Sequence, residues 1–430
     1  MPPGQWDHLG GTPVPAAPRR RAGRGRIIVS IIAVVALAAG GAVSYVAISN
    51  SSSGSGASSP EAAIRSVVGD INKSDLLGVL DDLAPGERDA FVGPITDEID
   101  TLKRTKVLTS TADPNNVSGL KFDIAALTFS GRTISLTNDV QVVEITGGTI
   151  SINADLAKAP FTREFLTAVF PTGLPPSSSV TDKVDIAQAV RDNGKPVRVA
   201  AEKVGGKWYP SLGYTVAYQA ANERVPAASD YIAPKGASSP EGAVRQMITD
   251  LFNANIADAV ALLSPDELAP AHTYGGLIVD SASYPAAPVH ISQLSLSTSD
   301  INGGKRVTLS SITVADDARQ TVSVRADGTC VDVTAQGRSK RYCPDDLVTQ
   351  ALDAASGFGF NGKATPAQRL ALADLLSGVT SIGVDVSQSG GQWYVNAVRT
   401  WGDSSNELTS KLKGNDVIEL IGLFRSFGAH

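Results

Sequence analysis

The segment Gly56-Ala-Ser-Ser-Pro-Glu61 is written a second time as Gly236-Ala-Ser-Ser-Pro-Glu241. A stretch repeated at one offset, here 180 residues, implies one structural unit built twice, each copy burying its own apolar face. The copies run on past the hexapeptide. Ala63 and Arg65 return as Ala243 and Arg245, and Ile64, Val67, Val68 and Ile71 return as Val244, Met247, Ile248 and Leu251. The apolar spacing i, i+3, i+4, i+7 is one face of a helix. Ser59 and Ser239 suit the N-cap, Pro60 and Pro240 the first helical position, and Glu61 and Glu241 the positive end of the helix dipole.

At the same offset Leu76, Leu80 and Leu83 match Ile256, Val260 and Leu263, a second short helix. Leu83-Ala-Pro85-Gly-Glu87 matches Leu263-Ser-Pro265-Asp-Glu267, and Thr146-Gly-Gly148-Thr149-Ile150 resembles Ala326-Asp-Gly328-Thr329-Cys330. Near the ends Gly205-Gly-Lys-Trp208-Tyr209 matches Gly390-Gly-Gln-Trp393-Tyr394, now 185 residues apart. Alternation predicts strands at 120–129, 139–145 and 148–154 in the first copy, and at 290–298, 306–314, 320–326 and 329–335 in the second. A helix is expected at 161–170 and at 366–377. Hairpins at 197–212 and 382–398 turn on the diglycines. Leu408, Leu412, Val417, Leu420, Ile421 and Phe424 outline an amphipathic C-terminal helix, interrupted near Gly414 and expected to pack on the second copy.

Before the first copy the chain changes character. Residues 1–26 are rich in Pro, Gly and Ala, hold one acid, Asp7, and end in Arg19, Arg20, Arg21, Arg24 and Arg26. Such a segment buries too little apolar surface to offset its ordering entropy, so a disordered tail is expected. Residues 27–48 are 22 in number and carry no charge, enough for a helix to cross a hydrocarbon core of ~30 Å. The arginines lie before this span, which keeps the N-terminus in the cytoplasm. The apolar run is longer than a cleaved signal peptide needs, which favours an uncleaved anchor, although the small residues at Ala38–Ala42 leave cleavage open; with no Cys near the span a lipoprotein anchor is excluded. The expected layout is tail 1–26, transmembrane helix 27–48, Ser/Gly linker 49–59, repeat 60–221, linker 222–239 and repeat 240–430 with the C-terminal helix. The fold class is α+β: an N-terminal transmembrane helix, then two tandem repeats of helices packed on a curved antiparallel sheet. The expected place is the cytoplasmic membrane, crossed once, with the repeats outside.

The two cysteines, Cys330 and Cys343, flank a strand, a Gly-bearing turn and a second short strand. On the outer side of a membrane disulfides persist, so a bond across this hairpin is expected. A net charge of −6 gives no footing for nucleic acid.

The order of elements, the Ser-Pro-Glu helix start, the Leu-x-Pro-x-Glu turn and the closing Gly-Gly-x-Trp-Tyr hairpin resemble actinobacterial membrane-protein and lipoprotein ectodomains with the nuclear transport factor 2-like cone fold. The resemblance covers about 56–215 and 236–400. It implies a cone with a pocket and carries over no catalytic residue. The long middle section of each copy, with an added helix, departs from the minimal fold.

Chemistry-bearing residues are sparse. The four histidines are His8, His272, His290 and His430. His272 and His290 have no companion cysteine, which is poor zinc spacing. His272 and Asp280 could make an acid–base dyad, but the first copy has Val92 and Asp100 there. Asp81-Asp82, Asp316-Asp317 and Asp345-Asp346 lack a calcium-loop pattern, and no phosphate loop or nucleophile elbow occurs. No cofactor or metal is expected. The candidate ligand-binding residues are Trp208, Tyr209, Trp393 and Tyr394, with Arg65 and Arg245 as polar residues on apolar helices, each expected beside a local acid. A core repeated without its polar residues argues for shape over catalysis. The leading expectation is a non-enzymatic envelope protein binding or scaffolding through its tandem domains. The alternatives are a cone-fold enzyme, a carrier of an apolar ligand such as lipid in one repeat, and a membrane protein like those of the flagellar basal body. Expected partners are the membrane and an envelope protein or apolar ligand.

Overall fold

The computed structural model describes residues 56–175, 178–282, 289–316, 320–357 and 363–427. The expected tail, the span 27–48 and residues 49–55 of the linker lie outside them. Among the described residues no helix is long and apolar enough to cross a membrane.

The repeated hexapeptide opens both halves as predicted. Helix α1 (Pro60–Lys73) starts on Ser59, whose Oγ accepts the Ala62 N–H at 3.2 Å. Helices α2 (Leu76–Asp81) and α3 (Pro85–Arg104) follow. Then come β1 (Leu120–Ser135), β2 (Val140–Asp155), α4 (Arg163–Val169), β3 (Ser179–Asp185) and α5 (Ile186–Asn193). The half closes with β4 (Val197–Val204), β5 (Lys207–Ser211) and α6 (Leu212–Ala220). The second half begins with α7 (Pro240–Phe252), capped alike by Ser239 on Gly242 at 3.0 Å, then α8 (Ile256–Ala261), α9 (Ala269–Thr273) and α10 (Gly275–Ser281). It continues through β6 (Val289–Ile301), β7 (Gly304–Asp316), β8 (Thr321–Asp327), β9 (Cys330–Ala335) and β10 (Arg338–Tyr342). Last come α11 (Pro344–Gly357), α12 (Pro366–Ser377), β11 (Gly383–Ser389), β12 (Gln392–Val395), α13 (Ala397–Thr409) and α14 (Asp416–Phe427).

Among the described residues the strands form two separate sheets. The first runs β1-β2-β4-β5, with β3 on the far half of β2; the second runs β10-β9-β8-β7-β11-β12, with β6 on β7. All pairs are antiparallel. Strands β1 to β5 therefore correspond to β6, β7, β8, β11 and β12. The halves share a reason for keeping their end motifs. Ala57 bridges Trp208 and Ala237 bridges Trp393. A Cβ on Gly56 would lie 2.6 Å from the Tyr209 ring, and one on Gly236 2.8 Å from that of Tyr394. The Gly-Ala that precedes each first helix thus adds an edge to the closing Trp-Tyr hairpin.

Some elements differ from expectation. The two strands expected at 139–145 and 148–154 are one, β2, because Gly147-Gly148 sits at register shifts against β1 and not at a turn. Gly147 leaves room for Thr128 Oγ1, 2.6 Å from where a Cβ would stand, and Gly148 holds φ +126°. Gly328, matched to it by sequence, turns between β8 and β9 instead. Helices α3, α5, α6, α9, α10, α11 and α13 and strand β3 were not anticipated, whereas β10 is the second short strand expected between the cysteines. Cys330 and Cys343 form the expected disulfide, with Cα atoms 4.2 Å apart, closing the β9–β10 hairpin at its open end. The C-terminal helix breaks at Gly414 as expected. Leu412 and Leu420 are buried with Ala371 of α12.

Each half lends its last helix to the other. Helix α6 packs on α9, Tyr214 Oη lying 3.0 Å from Thr273 Oγ1. Helix α13 packs on α3, where Asn406 Nδ2 donates to the Pro94 carbonyl at 2.9 Å. The expected linker is tied down between them: Ile232 N–H donates to His272 O at 3.0 Å and Lys235 N–H to Ala261 O at 2.8 Å.

Candidate functional site

The apolar face of α1 packs in part on the sheet, Ile64 and Val68 lying with Leu127, Ile145, Ile150 and Ile186, and in part opens on empty space. Ile64, Val67, Val68 and Ile71 line a cavity of about 350 Å³. Helix α2 adds Leu76, Val79 and Leu80, α3 adds Ala90, Phe91, Pro94, Ile95 and Glu98, and the concave sheet adds Ile124, Leu127, Ile145, Ile150, Val197 and Val199. The roof belongs to the other half: Val398, Trp401, Gly402, Ser405, Asn406 and Thr409 of α13. Trp401 is 71% exposed, so it stands at the mouth. Gly402 lets the roof settle, since a Cβ there would come 2.5 Å from Pro94 Cβ.

The matching face of α7 is used differently. Val244 and Ala243 are buried against Val307, Val386 and Val395, with Met247, Ile248 and Trp393 packed around them. The same helix face thus joins a packed cluster in both repeats and in the first also lines a cavity.

Within the cavity wall, as described, Glu98 is the ionisable residue. Thr409 Oγ1 donates to its Oε2 at 3.0 Å. Burial pushes the carboxyl above its usual range, opposed by that hydrogen bond and by the charge of Arg104. The Arg104 guanidinium is itself committed to the Leu412 and Thr409 carbonyls and the Thr101 hydroxyl.

Helix α13 has a second face. Arg306 of β7 pairs with Asp385 of β11 at 2.9 Å, with Asp403 at 2.7 Å and with Glu407. Arg399 approaches Asp403 at 3.6 Å. Positions 399, 403 and 407 share one side of the helix, and 398, 402, 405 and 409 another. The roof is therefore latched to its own sheet by charges. Burial, helped by the neighbouring Asp385, pushes Asp403 up to about 7 against the pull of Arg306. In the first repeat the equivalent seat of α6 is apolar and aromatic, with Val142, Ala200, Tyr214 and Tyr218.

The shared Pro-x-Glu turn proves to be a helix anchor. Glu87 is buried and accepts from Ser211 Oγ, from Leu212 N–H at 2.8 Å and from Gly213 N–H at 2.9 Å, at the start of α6. Glu267 accepts the Val398 N–H at the start of α13. Burial raises both carboxyls, Glu267 to about 7, while the helix-end donors oppose it. The spacing of the motif showed the pair of glutamates, but not what they cap, because α6 and α13 were not anticipated.

The residues picked from sequence lie elsewhere. Trp208 packs with Ala57, Ala63 and Ala201, and Trp393 joins the cluster of the second repeat. Tyr394 is buried, its hydroxyl donating to Gln392 Oε1 at 3.1 Å, and Tyr209 covers Gly56. Among the described residues Arg65 pairs with no acid; it donates to the Leu127 carbonyl at 3.2 Å and lies 4.7 Å over the Phe129 ring. Arg245 lines a separate polar cleft with His290 and Gln293. None of these six lines the large cavity. His272 makes no hydrogen bond to Asp280. Its Nδ1 and Nε2 are each 3.0 Å from a carbonyl oxygen, of Ile232 and Leu263, so it fastens the linker. Among the described residues no group of three or more His, Cys, Asp or Glu is placed to hold a metal ion.

Comparison with protein-family models, with curated proteins and with solved structures finds no match to this chain.

Proposed function

We propose that this protein is a non-enzymatic, membrane-anchored envelope protein that binds an apolar ligand in the cavity of its first repeat. The cavity carries the proposal. About 350 Å³ of largely aliphatic space opens past the exposed Trp401, and unfilled it leaves apolar wall facing water, which a hydrocarbon would cover at a gain of roughly 25 cal/mol per Å². Its size is within the usual range of small-molecule sites. The wall is mostly aliphatic and aromatic, with Glu98, Ser405, Asn406 and Thr409 as its polar residues, which suits a lipid or another largely hydrocarbon ligand. The anchor rests on the uncharged span 27–48 behind its arginines. The expected cone fold is consistent with helices on a curved antiparallel sheet and belongs to the same proposal.

The test is direct. The full chain is purified from membranes, extracted with organic solvent, and the extract analysed by mass spectrometry, beside a Val68→Phe variant that fills the cavity. Wild type should release a hydrocarbon-bearing compound near one per chain, and the variant little. An empty wild type whose Val68→Phe form is simply more stable would make the space a void and end the proposal.

A further inference from the structure

We infer that Glu98 selects the ligand by its head group, accepting an aliphatic chain that ends in a hydrogen-bond donor, a hydroxyl or an ammonium, and turning away the carboxylate of a fatty acid. The inference rests on the ligand-binding proposal and deepens it. One oxygen of Glu98 is engaged: Oε2 takes the Thr409 hydroxyl at 3.0 Å. Oε1 has no hydrogen bond among the described residues and is not one of the sealed-off polar atoms, so water or a ligand can reach it on a mostly apolar wall. A ligand group that donates to it exchanges that water for a charge-assisted hydrogen bond. An alcohol or an ammonium can donate. A carboxylate cannot, and its charge would meet that of Glu98 in a surrounding that screens poorly.

Among the residues described at the wall there is no Arg or Lys. Arg104 acts on Glu98 by its charge, but its guanidinium donates to the Leu412 and Thr409 carbonyls. The remaining polar wall residues are Ser405, Asn406 and Thr409, and the Asn406 amide is spent on Pro94. A fatty-acid site would instead present an arginine, a lysine or free N–H groups at the end of the chain. Here the wall presents an acceptor.

The experiment compares three amphiphiles of one chain length: dodecanol, dodecylamine and dodecanoate. Each displaces the uncharged fluorophore N-phenylnaphthylamine from the full chain at about pH 8, well above the usual range of a Glu carboxyl. On wild type, dodecanol and dodecylamine should each displace the probe at concentrations at least roughly tenfold below dodecanoate, a modest gap because the carboxylate that repels the fatty acid is only partly buried. Glu98→Gln keeps the shape and an acceptor for Thr409 but removes the charge, and should abolish most of that gap. Thr409→Val keeps the charge and should leave the order of preference unchanged. Equal displacement by all three on wild type, or an undiminished gap in Glu98→Gln, overturns the role of Glu98 while leaving the cavity a binding site. Binding of the probe with no displacement by any of the three overturns both.

Discussion

Gly86 and Asp266 occupy the same position of the two repeats, 180 residues apart, and they touch each other: a Cβ on Gly86 would fall 1.6 Å from the Asp266 carbonyl oxygen. A surface in which a position meets its own equivalent is isologous, the arrangement of a two-fold dimer. The neighbouring contacts obey the same rule. Gly213 of α6 faces Pro270, and their equivalents, Val398 and Ala90, both line the cavity between the halves. The halves are thus joined as two copies would be, with α6 and α13 exchanged.

This contact predicts an asymmetric response to alanine. Gly86→Ala has no room and should destabilise the chain by about 1–3 kcal/mol. Gly93→Ala, on the same helix with nothing within 4 Å of its Cβ, should be neutral or slightly stabilising. Thermal unfolding distinguishes the two. Equal melting temperatures would show that the repeats do not meet at this turn.

Stability should fall as pH rises from about 5 to 8. Asp403 and Glu267 are pushed up to about 7, and Glu202 also to about 7, mainly by burial. A carboxyl whose folded pKa exceeds its unfolded value holds its proton more tightly when folded. Its contribution is full below the unfolded pKa of about 4 and is lost as pH climbs through the folded one. The melting temperature should drop on the order of 5 °C over that window. Asp403→Asn, which leaves Arg306 paired with Asp385 and Glu407, should flatten the profile and raise stability at the alkaline end. A melting temperature that rises with pH would refute the assignment.

Much of this fold was readable. The N-caps, the paired first helices, the closing hairpins, the helix at 366–377 and the disulfide all follow from spacing and local chemistry, because each depends on neighbours in sequence. The cavity was not. Ile64, Val67, Val68 and Ile71 form an apolar face whether they meet a filled core or a hollow one, and periodicity does not distinguish the two. What sets the halves apart is the seat of the last helix, where Val142, Ala200 and Tyr218 stand in one repeat and Arg306, Asp385 and Asp403 in the other. That exchange became legible once the strands were paired. Trp-Tyr was conspicuous by its repetition, and the structure places it in the packing that the repetition preserves.

The span 27–48 predicts topology. With the arginines on the cytoplasmic side, protease added to intact spheroplasts should remove a C-terminal tag and spare an N-terminal one. The opposite pattern would place the repeats inside the cell and remove the envelope proposal.

Trp401 supplies the last prediction, because it is both a wall residue and an exposed one. The chain has four tryptophans, and Trp6 lies in the N-terminal tail, outside the described residues. Trp208 is buried among alanines and Trp393 is packed in the second repeat, so neither should sense what enters the first. Trp401 stands at the cavity mouth with most of its ring in solvent. An aliphatic chain entering beneath α13 must replace part of that water with hydrocarbon. Dodecanol titrated into the full chain should therefore shift tryptophan emission to the blue and saturate. Trp401→Phe keeps an aromatic at the mouth, so it should still displace probe with dodecanol but lose the shift. Trp393→Ala removes part of the second repeat's core. It should lower the melting temperature, with a loss below the roughly 3–5 kcal/mol of a fully buried ring because Trp393 is only partly buried, and it should retain the shift. A shift that survives Trp401→Phe would put the ligand elsewhere than under the α13 roof, and loss of binding in Trp393→Ala without loss of stability would move the site to the second repeat.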